Sequence, residues 1–271
     1  MHELNDLPIG VFDSGLGGLT VVRAIQELLP GEEIIYLGDS ARVPYGTRSQ
    51  STVVSYARTC SQFLISKQLK MLVVACNTAS AVALPTLRQE IGMPVLGVIA
   101  AGARAAARTG ASRIGVIGTT GTVLSGAYIR EIANRMPNCQ VVQQPAPLFV
   151  PLAEEGWIDG DVPVLAAMRY LEPLAQAKVE VLMLGCTHYP LLIAPIKRAL
   201  KTLECSAHVV DSATAMAAEV RRTLDGNGLQ RDPGSAGGLT CFVTDLPASF
   251  EEVSTRFLGQ SPGAVKKVDI T

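Results

Sequence analysis

Charge is scarce in this sequence, and neither sign dominates. Only 17% of its 271 residues are charged, and 23 basic against 24 acidic side chains leave a formal net charge of −1. Nucleic-acid binding needs a concentrated basic surface, so we expect no nucleic-acid partner. Hydrophobic residues make up 48% of the chain, which is enough for a substantial core and excludes a disordered protein.

Long apolar runs are also missing. No stretch reaches the roughly 18 apolar residues of a membrane-spanning helix. The best candidate, residues 71–84, is interrupted by Asn77, Thr78 and Ser80. Residues 1–6 lack the basic segment and the apolar run of a secretory signal. We therefore expect no membrane partner and a cytoplasmic location.

Closely spaced cysteine pairs are absent as well. The six cysteines are Cys60, Cys76, Cys139, Cys186, Cys205 and Cys241. Because they form no C-x-x-C pair and no zinc-ligand cluster, the spacing predicts no metal site. A disulfide framework is not expected in a reducing compartment, and most buried cysteines are small hydrophobes.

Short apolar runs of strand length recur along the chain, and longer helical patterns separate them. The runs are residues 9–12, 33–37, 71–75, 95–98, 114–117, 139–142, 181–184 and 208–210. Strands that are apolar on both faces and alternate with helices are typical of a parallel sheet covered on both sides. The sequence therefore predicts an α/β fold.

Two pairs of segments resemble each other at nearly the same separation. Residues 9–15 resemble residues 114–120, and residues 73–78 resemble residues 183–188. The two offsets, about 105 and about 110 residues, indicate an internal duplication. We therefore expect two similar parallel-sheet lobes related by a pseudo-twofold axis, with the active site in the cleft between them.

The duplication also suggests where the lobes begin and end. We predict that residues 1–98 form the first lobe, that residues 99–210 form the second, and that residues 211–271 return to the first. Within this return, the Gly-rich residues 225–240 are typical of a surface loop.

Polar side chains follow many of the predicted strands directly. They are Asp13, Ser14, Asp39, Ser40, Cys76, Asn77, Thr78, Thr119, Thr122, Cys186, Thr187 and His188. Ligands of open parallel sheets bind beyond the carboxyl ends of the strands, although Ser, Thr and Asp there can equally cap the next helix. Cysteine is not a preferred cap. Its presence at matching places in both similar segments favours a function for Cys76 and Cys186.

The Gly-rich segment after the first strand raises the possibility of a dinucleotide site. Residues 15–20 lack the third glycine of G-x-G-x-x-G, because Thr20 stands there, and the polar pair Asp13-Ser14 precedes them. We therefore expect no nucleotide cofactor. The turn is better interpreted as bringing a helix N-terminus close to a small anion such as a carboxylate.

Two matched thiols on facing lobes suit the inversion of a stereocentre. One group removes a proton from one face of a carbon atom, and a similar group delivers a proton to the other face. A thiol with a pKa of about 8.5 is only slightly ionised at neutral pH, so each thiol needs assistance. His188 follows Cys186 closely, and Asp13 ends the strand expected beside Cys76. Either group can exchange a proton with its thiol, and the following helix N-terminus is expected to lower the thiol pKa.

Several motifs together resemble the glutamate racemases of the aspartate/glutamate racemase superfamily. They are Phe12-Asp13-Ser14-Gly15-Leu16-Gly17-Gly18, Gly38-Asp39, Pro44-Tyr45-Gly46, Ala75-Cys76-Asn77-Thr78-Ala79 and Gly185-Cys186-Thr187-His188-Tyr189-Pro190. The resemblance covers nearly the whole chain, including residues 250–259. It implies a cofactor-independent interconversion of L- and D-glutamate that supplies peptidoglycan synthesis. It also implies a two-lobed α/β fold and a homodimer.

The resemblance further implies roles for particular residues. Cys76 and Cys186 match the two acid/base thiols, with Asp13 assisting Cys76, and Glu154 matches the acidic partner of the second thiol. The adjacent Glu155 leaves that assignment open. The residues matched to substrate binding are Asp13, Ser14, Tyr45, Gly46, Asn77, Thr78, Thr119, Thr122, Thr187 and His188.

Other interpretations of the same residues stay open at this point. Residue spacing does not measure the length of a substrate side chain, so a racemase or isomerase acting on aspartate or another small carboxylate is an alternative. A non-catalytic amino-acid-binding protein is another. Arg42 and Arg48 flank the Pro44-Tyr45-Gly46 motif, where they can attract a dicarboxylate or be ordinary solvated arginines.

Overall fold

Two parallel β-sheets form the framework of the protein. The computed structural model describes residues 4–232 and 234–270, so Met1–Glu3 of the expected N-terminal segment lie outside the described residues. The strands are β1 (Ile9–Asp13), β2 (Glu33–Gly38), β3 (Met71–Val74), β4 (Val95–Gly97), β5 (Arg113–Gly118), β6 (Gln140–Pro145), β7 (Val181–Gly185), β8 (His208–Asp211), β9 (Gly238–Val243) and β10 (Val265–Lys267).

Helices follow most of the strands. They are α1 (Leu19–Leu28), α2 (Gln50–Ile65), α3 (Asn77–Val82), α4 (Leu84–Glu90), α5 (Val98–Ala107), α6 (Thr120–Leu124), α7 (Ala127–Ala133), α8 (Phe149–Glu154), α9 (Asp161–Gln176), α10 (Ile193–Thr202), α11 (Ser212–Asn227) and α12 (Phe250–Leu258). Short 3₁₀ turns lie at Leu4–Asp6, Tyr45–Thr47 and Tyr189–Leu192.

The two sheets share one strand order. The six-stranded sheet runs β10-β9-β2-β1-β3-β4, and the four-stranded sheet runs β6-β5-β7-β8. All their pairings are parallel. The order β2-β1-β3-β4 therefore matches β6-β5-β7-β8, as expected from the duplication. The predicted α/β fold with two similar parallel-sheet lobes is confirmed.

The sheets are covered on both faces. Every residue of β1, β3 and β7 is buried, which explains why these strands, apart from Asp13 at the end of β1, are apolar rather than alternating. Fully burying one Val, Leu or Ile side chain contributes roughly 1.5–3 kcal/mol, so these strands are rigid supports for whatever follows their ends. No helix in the described part of the chain has the length and apolar composition needed to span a bilayer.

Two helices carry the chain between the sheets. Helix α5 leads from β4 to β5, α11 leads from β8 to β9, and the two helices pack against each other. We call the six-stranded sheet with its helices the first lobe, and the four-stranded sheet with its helices the second. These crossings support our proposal that the lobe boundaries lie near residues 98 and 211.

The C-terminal part contains strands that the sequence patterns did not predict. Residues 225–240 were expected to form a loop, but α11 continues to Asn227 and β9 begins at Gly238. Strand β9 pairs along its whole length with β2, and β10 pairs with β9. These backbone hydrogen bonds bring residues 238–240, the last part of the predicted loop, into the six-stranded sheet.

Candidate active site

The carboxyl ends of strands from both sheets surround one cavity of about 260 Å³. Cys76 follows β3 and Cys186 follows β7, which are equivalent strands of the two sheets. The predicted site residues that line the cavity are Ser14, Tyr45, Gly46, Cys76, Asn77, Thr78, Thr119, Glu154, Cys186, Thr187 and His188. The structure therefore brings most of the predicted site together between the lobes.

Cys76 lies at the start of α3. Its Sγ accepts a hydrogen bond from the backbone N–H of Ala79 at 3.4 Å and donates to Ser14 Oγ at 3.5 Å. Burial, followed by the negative charge of Asp13, raises the pKa of the Cys76 thiol to about 12. The lowering expected from the helix N-terminus is therefore outweighed by burial, and Cys76 carries its proton at neutral pH.

Asp13 is fully buried and lies behind the cavity wall. Its Oδ2 accepts a hydrogen bond from the N–H of Gly15 at 3.1 Å. Burial raises the pKa of this carboxyl group, against the opposing effects of His188 and of the backbone N–H groups of Gly15, Gly18 and Ser14. Asp13 is therefore the carboxylate that accepts a hydrogen bond from the Gly-rich turn before α1.

The Gly-rich turn also packs tightly against the second lobe. A Cβ atom on Gly17 would lie 2.4 Å from Thr187 Oγ1 and 2.5 Å from His188 Nδ1, and one on Gly18 would lie 2.5 Å from Asp13 Cβ. Real Cβ atoms do not approach so closely, so only glycine fits. The hydroxyl of Thr20 crosses to the second lobe and donates to the Thr187 carbonyl at 3.0 Å.

Cys186 stands beside an imidazole–carboxylate pair. Its Sγ is 3.8 Å from His188 Nδ1, and His188 Nε2 is 3.0 Å from Glu154 Oε1. Burial opposes a charge on His188, but the contacts with Cys186 and Glu154 outweigh burial and raise the pKa of the imidazole to about 10. Glu155 is exposed and does not line the cavity. Glu154 is therefore the glutamate that pairs with the imidazole beside the second thiol.

Three threonine hydroxyls join the lobes at the side of the cavity. Thr78 Oγ1 is 3.1 Å from Thr119 Oγ1 and 3.4 Å from Thr122 Oγ1, and the last two are 3.0 Å apart. Thr78 and Thr119 line the cavity, whereas Thr122 is fully buried and supports them from behind. Thr122, like Asp13, was predicted to bind substrate but does not line the cavity.

The loop that carries Tyr45 and Gly46 is anchored by a buried carboxylate. The Tyr45 hydroxyl donates to Asp39, which also accepts hydrogen bonds from Arg42 Nε at 2.7 Å and Thr244 Oγ1 at 2.9 Å. Asp39 thus supports the cavity wall from outside it. Arg42 is engaged with Asp39, so it is neither a solvated arginine nor a cavity-lining one.

In the side-chain amide of Asn77, only the oxygen atom forms a hydrogen bond with the described residues. Its Oδ1 accepts a hydrogen bond from the Tyr128 hydroxyl at 2.8 Å. Its Nδ2 is buried and has no hydrogen-bond partner among the residues that the structure describes. Because Asn77 lines the cavity, this N–H₂ group is available to donate to a molecule bound there.

Sequence reasoning missed part of the cavity lining. The missed residues are Val43, Pro44, Thr47, Thr120, Pro147, Val150 and Pro151. Pro44, Thr120, Val150 and Pro151 lie close in sequence to predicted site residues, but residues of these types give no local sign of lining a cavity. Within residues 4–232 and 234–270, no three His, Cys, Asp or Glu side chains are placed to hold a metal ion together.

Known proteins are similar to this chain over nearly its whole length. Residues 9–220 match the family model Asp/Glu/Hydantoin racemase. A glutamate racemase of Geobacter metallireducens is 50% identical over 264 residues, which cover 97% of this chain and 96% of that protein. The crystal structure of a glutamate racemase from Francisella tularensis in complex with D-glutamate has a TM-score of 0.91 and 36% identity, with 98% of both chains covered. A glutamate racemase structure from Bacillus anthracis has a TM-score of 0.92 and 37% identity, again with 98% of both chains covered.

Proposed function

The chain belongs to the Asp/Glu/hydantoin racemase family, and we propose that it interconverts L- and D-glutamate without a cofactor, using Cys76 and Cys186 as the two acid/base groups. Family membership makes it an amino-acid racemase, which is an isomerase. The observation that carries the proposed mechanism is that two thiols from equivalent strand ends line one cavity.

The reaction needs only proton transfers at one carbon. The thiolate of one cysteine takes the Cα proton, so the C–H bond breaks, an S–H bond forms and the electron pair stays on carbon as a planar carbanion. The thiol of the other cysteine then gives its proton to the opposite face and becomes a thiolate. The charge thus moves from one sulfur to the other while the stereocentre inverts.

The Cys76 side of the cavity is arranged for a neutral thiol. Burial raises the Cys76 pKa to about 12, so this thiol is ready to deliver a proton. Ser14 accepts its hydrogen bond, and the neighbouring Asp13 has a raised pKa of its own. We assign Asp13 the role of assisting Cys76 when this thiol must lose its proton in the reverse direction.

The Cys186 side places an imidazole with a raised pKa beside the sulfur. Because the pKa of His188 is raised to about 10, its imidazole is protonated at neutral pH. Nδ1 of this ring lies 3.8 Å from Sγ, where it can exchange a proton with the thiol, and Glu154 holds the ring from its other nitrogen. His188 and Glu154 are therefore assigned to assist Cys186.

The rest of the cavity offers mainly neutral donors to a dicarboxylic amino acid. No Lys or Arg is among the described residues that line it. We assign substrate binding to the cavity-facing hydroxyls, the Asn77 amide, the Gly46 backbone and His188, with Asp13 and Thr122 acting from behind the wall. Fixed neutral donors in a site with little water stabilise developing negative charge effectively.

The similarity to glutamate racemases also supports a cellular role. We propose that the protein supplies D-glutamate for peptidoglycan synthesis in the cytoplasm and that it acts as a homodimer. Light scattering coupled to size-exclusion chromatography tests the dimer: a mass near 57 kDa, twice the 28.6 kDa of one chain, is expected, and a mass of one chain contradicts it.

Proton exchange tests the proposed reaction directly. Purified protein in D₂O, with no added cofactor, is expected to replace the Cα hydrogen of both glutamate enantiomers by deuterium, as followed by ¹H NMR. Cys76→Ser and Cys186→Ser should each lower the racemisation rate by about 10²–10⁴. Cys139→Ser is the control, because Cys139 lies outside the cavity. Full activity in Cys186→Ser would refute the mechanism, and a preference for aspartate would refute the substrate.

A further inference from the structure

A buried tyrosine of the second lobe reaches a cavity residue of the first. Tyr128 belongs to α7 and is fully buried, and its hydroxyl donates to Asn77 Oδ1 at 2.8 Å. Asn77 is the first residue of α3 and lines the cavity, whereas Tyr128 does not line it. Tyr128 can therefore affect a ligand only through Asn77.

The tyrosine hydroxyl determines which way the amide faces. A buried O–H must donate, and among the described residues Asn77 Oδ1 is the one acceptor that the structure gives to Tyr128. The amide oxygen therefore faces Tyr128, and Nδ2 is turned away from it. If the amide were flipped, the hydroxyl would face an N–H₂ group and would lose its acceptor.

A glycine in α5 leaves room for the ring of Tyr128. A Cβ atom on Gly102 of α5 would lie 2.8 Å from Met183 Cε and 3.3 Å from the Tyr128 hydroxyl. The missing side chain therefore leaves room for the tyrosine between the lobes. Because packing fixes the ring on this side, the hydroxyl has one position from which to donate.

The other half of the amide is left for a ligand. Asn77 is only 3% exposed, and its Nδ2 has no partner in residues 4–232 and 234–270. An amide N–H₂ group donates and does not accept, so its ligand partner is an oxygen rather than an ammonium group. The polar groups of a dicarboxylic amino acid are its α-ammonium group, its α-carboxylate and its side-chain carboxylate. The oxygen that accepts from Nδ2 therefore belongs to one of the two carboxylates.

We propose that Tyr128 is a positioning residue that orients the Asn77 amide so that Nδ2 donates to a carboxylate oxygen of the bound amino acid. The inference rests on the proposed function for the identity of the substrate. Asn77 touches the substrate, and Tyr128 acts through it.

A double-mutant cycle tests this proposal. Tyr128→Phe removes only the hydroxyl and is expected to raise the KM for glutamate about 3–10-fold, with kcat nearly unchanged, because binding is weakened equally before and during the reaction. Asn77→Ala is expected to raise KM at least as much. Adding Tyr128→Phe to Asn77→Ala should then change nothing further, since the group that Tyr128 orients is gone.

Tyr189→Phe is the matched control. Tyr189 is also fully buried and belongs to the second lobe, and its hydroxyl donates to the Ala146 carbonyl at 2.8 Å. This variant loses the same kind of bond but should keep the wild-type KM. Thermal unfolding of all variants shows whether they remain folded. A wild-type KM in Tyr128→Phe, or an equal effect of Tyr128→Phe with and without the Asn77 side chain, overturns the proposal.

The same cycle, measured as glutamate Kd by calorimetry, separates this proposal from the proposed function. Wild-type protein that binds glutamate without exchanging its Cα hydrogen, but retains the coupling between Tyr128 and Asn77, would refute racemisation and support the positioning role. Wild-type protein that exchanges the Cα hydrogen of glutamate but shows no coupling between Tyr128 and Asn77 would support racemisation and refute the positioning role. Absence of both glutamate binding and exchange would refute both.

Discussion

His188 Nε2 lies 3.0 Å from Glu154 Oε1, while Nδ1 of the same ring lies 3.8 Å from Cys186 Sγ. One imidazole thus joins a cavity thiol to a carboxylate at the cavity rim. The other thiol, Cys76, has a serine hydroxyl as its direct partner. The two cysteines occupy equivalent places in the sheets, but their neighbours differ, and the differences lead to separate predictions.

Removing the charge of Glu154 should lower kcat/KM at high pH. Contacts with Cys186 and Glu154 raise the His188 pKa to about 10, so the imidazole stays protonated well above neutrality and loses its proton as the pH rises through about 10. In Glu154→Gln we expect the alkaline limit of kcat/KM to move to lower pH, with activity at pH 9 reduced about 10-fold or more. Profiles of kcat/KM against pH measure this.

The neighbouring glutamate supplies the control for that experiment. Glu155 is exposed and does not line the cavity, so Glu155→Gln should keep the wild-type pH profile. If Glu155→Gln shifts the profile and Glu154→Gln does not, the pairing of His188 with Glu154 is not the one used in solution.

Glutamate should protect both cavity thiols from alkylation. Cys76 and Cys186 are each 5% exposed and line the cavity, so a bound amino acid covers them. With glutamate at ten times its Kd, iodoacetamide modification of both is expected to slow about 10-fold, because only the free protein reacts. Mass spectrometry of the peptides gives the rates, and Cys205, outside the cavity, should react at an unchanged rate. Unprotected Cys76 and Cys186 would contradict a substrate site between the lobes.

Adding one methyl group to the Gly-rich turn should damage the site. In Gly17→Ala the new Cβ would meet Thr187 Oγ1 and His188 Nδ1 within 2.5 Å, so the turn or the imidazole must shift. A displacement of about 1 Å in a catalytic group can cost about 10²-fold in rate, and we expect a loss of that size in kcat.

Gly226 of α11 is the matched control for Gly17. A Cβ there meets nothing within 4 Å, so Gly226→Ala should keep full activity and equal or slightly higher stability, since alanine favours helix by roughly 0.5–1 kcal/mol. Steady-state kinetics and thermal unfolding follow both variants. Wild-type kcat in Gly17→Ala would show that the lobes tolerate a wider separation than the structure has.

Arg256 of α12 should affect catalysis through the helix that carries Glu154. Its guanidinium donates to the backbone carbonyls of Glu154 and Ala153, at the end of α8, and to Glu252 at 2.9 Å. Without these bonds Glu154 is held less firmly against His188. We expect Arg256→Ala to lower kcat about 10-fold and to shift the pH profile in the same direction as Glu154→Gln.

Arg135 provides the comparison for Arg256. It also bonds to a glutamate four residues earlier and to a backbone carbonyl, but both belong to Glu131, away from the cavity. Arg135→Ala should therefore leave kcat and the pH profile unchanged. Equal losses in both variants would mean that the Arg256 effect is a general loss of stability.

The sequence by itself determined the framework and the two thiols. The eight predicted strands are all present, because short apolar runs between helical patterns are a local signal of strands in a covered parallel sheet. The positions of Cys76 and Cys186 followed from the internal similarity, since repeated segments fold into equivalent strand ends. Strands β9 and β10 were missed because their place in the sheet depends on pairing between distant segments, β9 with β2 and β10 with β9, which local patterns do not reveal.

Only the tertiary structure decided which side chains meet. Glu154 ends α8 and Glu155 follows it, about 100° further around the helix axis, so the orientation of α8 selects Glu154 as the partner of His188. The contact between Tyr128 and Asn77 joins residues of different lobes, and Asp13 and Thr122 lie behind the cavity wall rather than on it. Local patterns fix which segments become strands and helices, whereas contacts between distant segments depend on how those elements pack.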